Sequence, residues 1–146
     1  MNELAIQNNI KSILFLCTGN SCRSQIAEAI AKKEINNKDI VINSAGTNPD
    51  PVNPCAIKVL RDIGIDISEN KSKKVEFNNI HKYDLIITLC GDANDSCPVI
   101  SLPSRHIHWS IEDPAKFRGT RDLIDLKFAE VRDIIFKYIN VLKEEI

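Results

Sequence analysis

Apolar positions along the chain follow two periods in turn. Residues 13–16 (ILFL) are a continuous apolar run, the mark of a strand buried on both faces. Ile26, Ala27 and Ile30 then share one helical face, with charges at Glu28, Lys32 and Lys33. After the turn NNKD, residues 40–46 (IVINSAG) alternate and end on glycine, which predicts a second strand. Asn53 and Pro54 read as N-cap and first helical residue, followed by Ala56, Leu60 and Ile63 on one face and Gly64 past the helix end. Residues 75–83 predict a short helix, 83–90 (YDLIITLC) a third strand, 91–98 a loop or weak helix, 105–111 a fourth strand and 113–120 a loop. The last segment is the clearest helix: Ile124, Phe128, Val131, Ile135, Tyr138 and Leu142 form one stripe at steps of four and three. Residues 1–11 carry no period and read as a short flexible lead-in.

Strands alternating with helices predict right-handed crossovers and an α/β fold. The expected architecture is a small four-stranded parallel open sheet with helices on both faces, a flavodoxin-like three-layer arrangement in one catalytic domain spanning 1–146. Such sheets bind ligands beyond the strand C-terminal ends, where strand order reverses. Cys17 and Cys90 both sit at predicted strand C-terminal ends, which suggests a shared site.

Composition narrows the partners. A net charge of −1 gives no footprint for nucleic acid or a membrane surface. The N-terminal stretch lacks the apolar core of a signal peptide, and no apolar run approaches the ~18 residues of a membrane span. The expectation is a cytoplasmic monomer. In that compartment five cysteines point to catalysis, redox chemistry, metal binding or burial rather than a disulfide scaffold. Cys55, in a first helical turn, reads as packing, as does Trp109; His106 and His108 share a strand face and read as surface residues.

The segment CTGNSCRS joins a strand end to a helix start. Unpaired N–H groups there form a concave nest for a tetrahedral oxyanion, lined by Thr18, Gly19, Asn20, Ser21, Cys22 and Arg23. Gly19 is expected to permit the tight turn and Asn20 to tolerate left-handed backbone angles. Arg23 can offer a planar fork to two oxygens of the anion. The same field favours the thiolate of Cys17, making it a nucleophile, and Ser24 can donate a hydrogen bond to that sulfur. The proton for a leaving oxygen is expected from Asp113 in IEDPAK, on the loop after the fourth strand, with Glu112 as the alternative.

Cys90 and Cys97 lie seven residues apart. In a helix they would be separated by ~10.5 Å along the axis, whereas a disulfide needs Cα atoms within about 7 Å. The intervening Gly91, Asp92, Asn94, Asp95 and Ser96 are poor helix formers and allow the segment to bend, as a redox relay would require. Cys22 reads as a packed residue, with a protective disulfide to Cys17 as the alternative.

FLCTGNSCRSQIAEA resembles the low-molecular-weight protein tyrosine phosphatase superfamily, and ITLCGDANDSCP with HWSIEDPA resembles its thioredoxin-coupled arsenate reductase branch. The resemblance runs from Ser12 to the C-terminus. It implies arsenate as substrate, attack by Cys17, protonation by Asp113, a disulfide relay through Cys90 and Cys97, and thioredoxin as reductant. It also implies a potassium ion held by Asn20, Glu28 and Ser44, but the position of the family's cation-binding aspartate falls on Lys73, whose ammonium opposes a bound cation. Phosphatases of this fold carry an aromatic residue after the Asp-Pro; here it is Ala115. The alternatives are a low-molecular-weight phosphatase acting on phosphotyrosine or small phosphate esters, and a non-catalytic redox sensor. No organic cofactor is implied.

Overall fold

The computed structural model describes residues 10–90 and 105–146. Four parallel strands form one sheet: β1 (Ser12–Cys17), β2 (Val41–Gly46), β3 (Leu85–Thr88) and β4 (Arg105–His108), in the order β2-β1-β3-β4. Three α-helices accompany them: α1 (Arg23–Glu34), α2 (Pro54–Arg61) and α3 (Arg121–Glu145). The order reverses at β1, flanked by β2 and β3, so the crevice beyond its C-terminal end is the predicted ligand position.

Because side chains alternate across a strand, β1 feeds two apolar clusters. Ile13, Phe15 and Cys17 join a large core with Leu85, Ile87 and residues of all three helices. Leu14 and Leu16 face the other way, with Ala45 and Ile86, against Val75, Ile80 and Tyr83. The expected helix over 75–83 is confined to the 3₁₀ turn Ile80–Lys82. Its start is extended because Lys74 bridges to Gly46, with the Val75 N–H donating to the Gly46 carbonyl at 2.9 Å. On this second face that turn is the helical cover among the described residues.

The helix ends follow local chemistry. The Asn53 side chain accepts from the Cys55 N–H, Pro54 opens α2, and Gly64 beyond its end takes φ +81°. Helix α1 departs from the expected amphipathic pattern. Every residue from Arg23 to Ala31 is buried, Glu28 included, because α1 is wedged between β2 and α3. The expected lead-in ends earlier than residue 11: Ile10 is buried, and the Lys11 N–H donates to Asp84 Oδ2 at 2.7 Å.

The fourth strand stops at His108 rather than 111, and the chain beyond it is held by an aromatic stack. Trp109 lies 4.9 Å from Tyr138 of α3, ring centroid to centroid, and 5.8 Å from Phe15 of β1. Burying Phe15, Phe128 and similar side chains contributes roughly 1.5–3 kcal/mol each. Ile111, on the loop that carries Asp113, is buried in the same core. No helix among the described residues is long and apolar enough to cross a membrane.

Candidate active site

Cys17 ends β1, and the chain turns through Thr18–Cys22 into α1. Its Sγ accepts the Asn20 N–H at 3.3 Å and lies 2.8 Å from Ser24 Oγ. Asn20 carries the left-handed conformation, with φ 48°. The tight turn therefore rests on Asn20 and not on Gly19, which has no positive φ. A cavity of about 290 Å³ opens over the sulfur, lined by Cys17, Thr18, Gly19, Ser21, Cys22 and Arg23 from the loop and by Asp113 across from it. Thr18 lines this cavity, but its hydroxyl oxygen is itself buried and has no hydrogen-bond partner among the described residues.

Arg23 is the first residue of α1 and is only 3% exposed. Its Nη1 donates to the Ile111 carbonyl at 2.9 Å, and its Nη2 lies 3.6 Å from Asp113 Oδ2. The guanidinium thus ties the anion loop to the Asp113 loop. Asp113 Oδ1 accepts the Ala115 N–H at 3.0 Å and caps the 3₁₀ turn Pro114–Lys116, which presents the carboxyl to the cavity. Glu112 turns the other way, its Oε2 2.5 Å from the Lys127 ammonium on α3. Ala115 and Lys116 complete the rim on this side, with Asp50 also lining the cavity.

Below the loop lies a buried polar chain. Asn20 Nδ2 donates to Ser24 Oγ and to Ser44 Oγ, each at 2.8 Å. Asn20 Oδ1 accepts from Gln25 Nε2 at 3.0 Å and from the Lys73 N–H at 2.8 Å, so all four positions of this amide are used. Ser44 Oγ donates to Glu28 Oε1. The Lys73 ammonium lies 3.5 Å from that same oxygen, and Lys32 Nζ lies 2.6 Å from Glu28 Oε2. Asn20, Glu28 and Ser44 do converge, as the potassium expectation requires. Yet one carboxylate already faces two ammonium groups, and a further cation would meet net positive charge. The residues present do not fit potassium.

The cysteines fall into distinct environments. Cys17, Cys22 and Cys55 carry free thiols, while Cys90 is disulfide-bonded. Burial pushes the Cys22 thiol up to about 12, against a lowering hydrogen bond to Ser21, so it packs as a neutral residue. The register pairing Leu16 with Thr88 carries Leu89 beside Cys17, and Cys90 one residue beyond. Cys97 lies outside the described residues. His106 Nε2 and His108 Nδ1 both bond the Thr88 hydroxyl, at 2.9 and 2.7 Å, away from the anion loop.

Sequence reasoning missed three features. Asp50 and Lys116 reach the cavity rim from turns without a distinguishing pattern. Gly46, opposite Cys17 in the β1–β2 register, passes so close to the loop that an added Cβ would lie 2.5 Å from the Thr18 carbonyl oxygen. Its signal was present as a glycine ending a strand, but its neighbour across the sheet was not visible.

The sequence matches the family "Low molecular weight phosphotyrosine protein phosphatase" over residues 12–146. It is 46% identical over 134 residues to an arsenate reductase of Bacillus licheniformis, covering 92% of this chain and 96% of that protein. Among solved structures, an arsenate reductase in a phosphate-binding state aligns with TM-score 0.72 and 32% identity, over 93% of this chain and 98% of that one. An arsenate reductase in an oxidised state aligns with TM-score 0.74 and 30% identity, over 92% and 97%.

Proposed function

The chain belongs to the arsenate reductases of the low molecular weight phosphotyrosine protein phosphatase family, and on that footing we propose that it reduces arsenate to arsenite through Cys17, Cys90 and Cys97, with thioredoxin as the reductant. Arsenate occupies the loop as a phosphate-like oxyanion, held by backbone N–H groups and the Arg23 guanidinium. The Cys17 thiolate attacks arsenic. Asp113 protonates the departing oxygen, which leaves as water or hydroxide, and a Cys17–arsenic bond forms.

Cys90 then attacks the Cys17 sulfur. The sulfur–arsenic bond breaks, and its electron pair stays on arsenic, which leaves as arsenite. The two thiols are oxidised to a Cys17–Cys90 disulfide while arsenic(V) becomes arsenic(III). Cys97 attacks Cys90, returning Cys17 as thiolate and leaving a Cys90–Cys97 disulfide. A dithiol donor such as thioredoxin resets that bond, a requirement that suits a reducing cytoplasm.

The observation that carries this reading is covalent. Cys90, just past the strand beside Cys17, is in a disulfide while Cys17 remains a free thiol. Cys90 also lies one residue past the position beside Cys17, where a relay through both sulfurs requires it. The alanine at 115, where the superfamily's phosphatases carry an aromatic residue, also speaks against aryl phosphate as the main substrate.

The test is NADPH consumption with thioredoxin, thioredoxin reductase and arsenate. Turnover by the intact protein and its loss in both Cys90→Ser and Cys97→Ser is the expected result, with any aryl phosphate hydrolysis retained in both. A protein silent toward arsenate that hydrolyses an aryl phosphate equally well in all three forms would instead be a phosphatase.

A further inference from the structure

The polar chain beneath the anion loop has a direction set by its charged end. A carboxylate only accepts, so the Ser44 hydroxyl proton points at Glu28 Oε1. Ser44 Oγ is then an acceptor for Asn20 Nδ2. The second Nδ2 proton goes to Ser24 Oγ, which leaves the Ser24 hydroxyl proton directed at Cys17 Sγ, 2.8 Å away. The amide cannot flip without losing the bonds its Oδ1 accepts from Gln25 and the Lys73 backbone. The donors therefore diverge from the Asn20 amide, one branch running through Ser44 to the Glu28 carboxylate and the other through Ser24 to the Cys17 sulfur.

Such a chain works only while Glu28 stays a carboxylate at one fixed position. Glu28 is 4% exposed, and a buried carboxylate persists when it is both paired and hydrogen-bonded. Its two oxygens are held differently. Lys32, one turn along the same helix, holds Oε2, which takes no part in the relay of donors. Lys73, from the segment before the 3₁₀ turn, reaches Oε1, the oxygen that receives Ser44.

We propose that Lys73 is a positioning residue for Cys17: a cation tethered to the chain that holds Glu28 Oε1 and so orders Ser44, Asn20 and Ser24 toward the sulfur, in the place where a free monovalent cation would otherwise sit. Its backbone contributes to the same end, because its N–H fixes the Asn20 amide and its carbonyl accepts the Gly46 N–H at 2.8 Å. Substituting the side chain leaves those backbone bonds intact and isolates the ammonium. The inference rests on Cys17 being the nucleophile.

The experiment follows alkylation of the Cys17 peptide by iodoacetamide at pH 7, by mass spectrometry, together with melting temperature. Lys73→Met, which keeps the aliphatic stem, should slow Cys17 alkylation about fivefold, the order of one hydrogen bond's net effect. Lys73→Arg should restore the rate, and Lys32→Met should change it much less. Ser44→Ala should slow it similarly, and the double variant with Lys73→Met should be no slower than Ser44→Ala alone, because both interrupt one chain. Replacing sodium by potassium at constant ionic strength should move neither the wild-type rate nor its melting temperature. Wild-type reactivity in Lys73→Met, an equal loss in Lys32→Met, additive losses in the double variant, or a potassium-dependent rise in the wild type overturns the inference. A wild-type Cys17 no more reactive than Cys55 overturns the nucleophile reading instead.

Discussion

Gly46→Ala is the sharpest test of how the anion loop is held. A Cβ at this position would sit 2.5 Å from the Thr18 carbonyl oxygen, 2.8 Å from the Asn20 nitrogen and 3.0 Å from the Gly19 carbonyl carbon. All three are backbone atoms, so no side chain can swing aside; β2 or the loop must move. Overpacking of this kind costs about 1–3 kcal/mol. For a chain of this size, that corresponds to a fall in melting temperature of roughly 3–10 °C. The functional loss should be larger, because the displaced atoms belong to the loop that cups the anion. A misplacement near 1 Å is worth about 100-fold in rate. Gly19→Ala is the control: its Cβ would meet Asp50 Oδ2 and Ser21 Cβ at 3.5 Å, an ordinary contact. Thermal melts and arsenate turnover should show Gly46→Ala folded, modestly destabilised and nearly inactive, with Gly19→Ala much less affected. A fully active Gly46→Ala, or a Gly19→Ala variant equally impaired, would refute the reasoning.

Two further outcomes are expected. Asp113→Asn should lower arsenate turnover by about 10²–10⁴, the range for a lost proton donor, whereas Glu112→Gln, whose carboxylate faces Lys127, should remain within about twofold on the same reasoning; steady-state rates at saturating arsenate decide between them. Burial first, and the charge of His108 second, hold the His106 imidazole below its ordinary value. The unfolded chain then binds more protons on acidification, so this contribution to stability is present above about pH 6.5 and is lost as pH falls below it. Melting temperatures between pH 7.5 and about 5 should fall less steeply in His106→Asn than in the wild type, and parallel curves would contradict the sign.

Much of the local structure around the candidate site was legible along the chain because it is short-range. The apolar run before Cys17, the helical spacing after it and the Cys-to-Arg interval lie within one strand–loop–helix unit, whose geometry follows from short-range backbone rules. The Asn53 and Pro54 cap and the stripe on α3 were readable for the same reason. Long-range placement was not. Glu28 carries the pattern of a solvated helix charge, yet it is buried, because only the packing of α1 between β2 and α3 decides which helix faces meet water. Gly19 looked like the turn residue yet takes no positive φ, while Asn20 adopts the left-handed conformation expected of it. Gly46 ends a strand like many glycines; its necessity comes from the loop after β1, distant in sequence, that the parallel register brings against it. Sequence by itself determined which groups could do the chemistry. The tertiary structure decided which of them meet, since contacts between Lys73 and Glu28, or Arg23 and Ile111, exist only after sheet order and helix packing bring distant segments together.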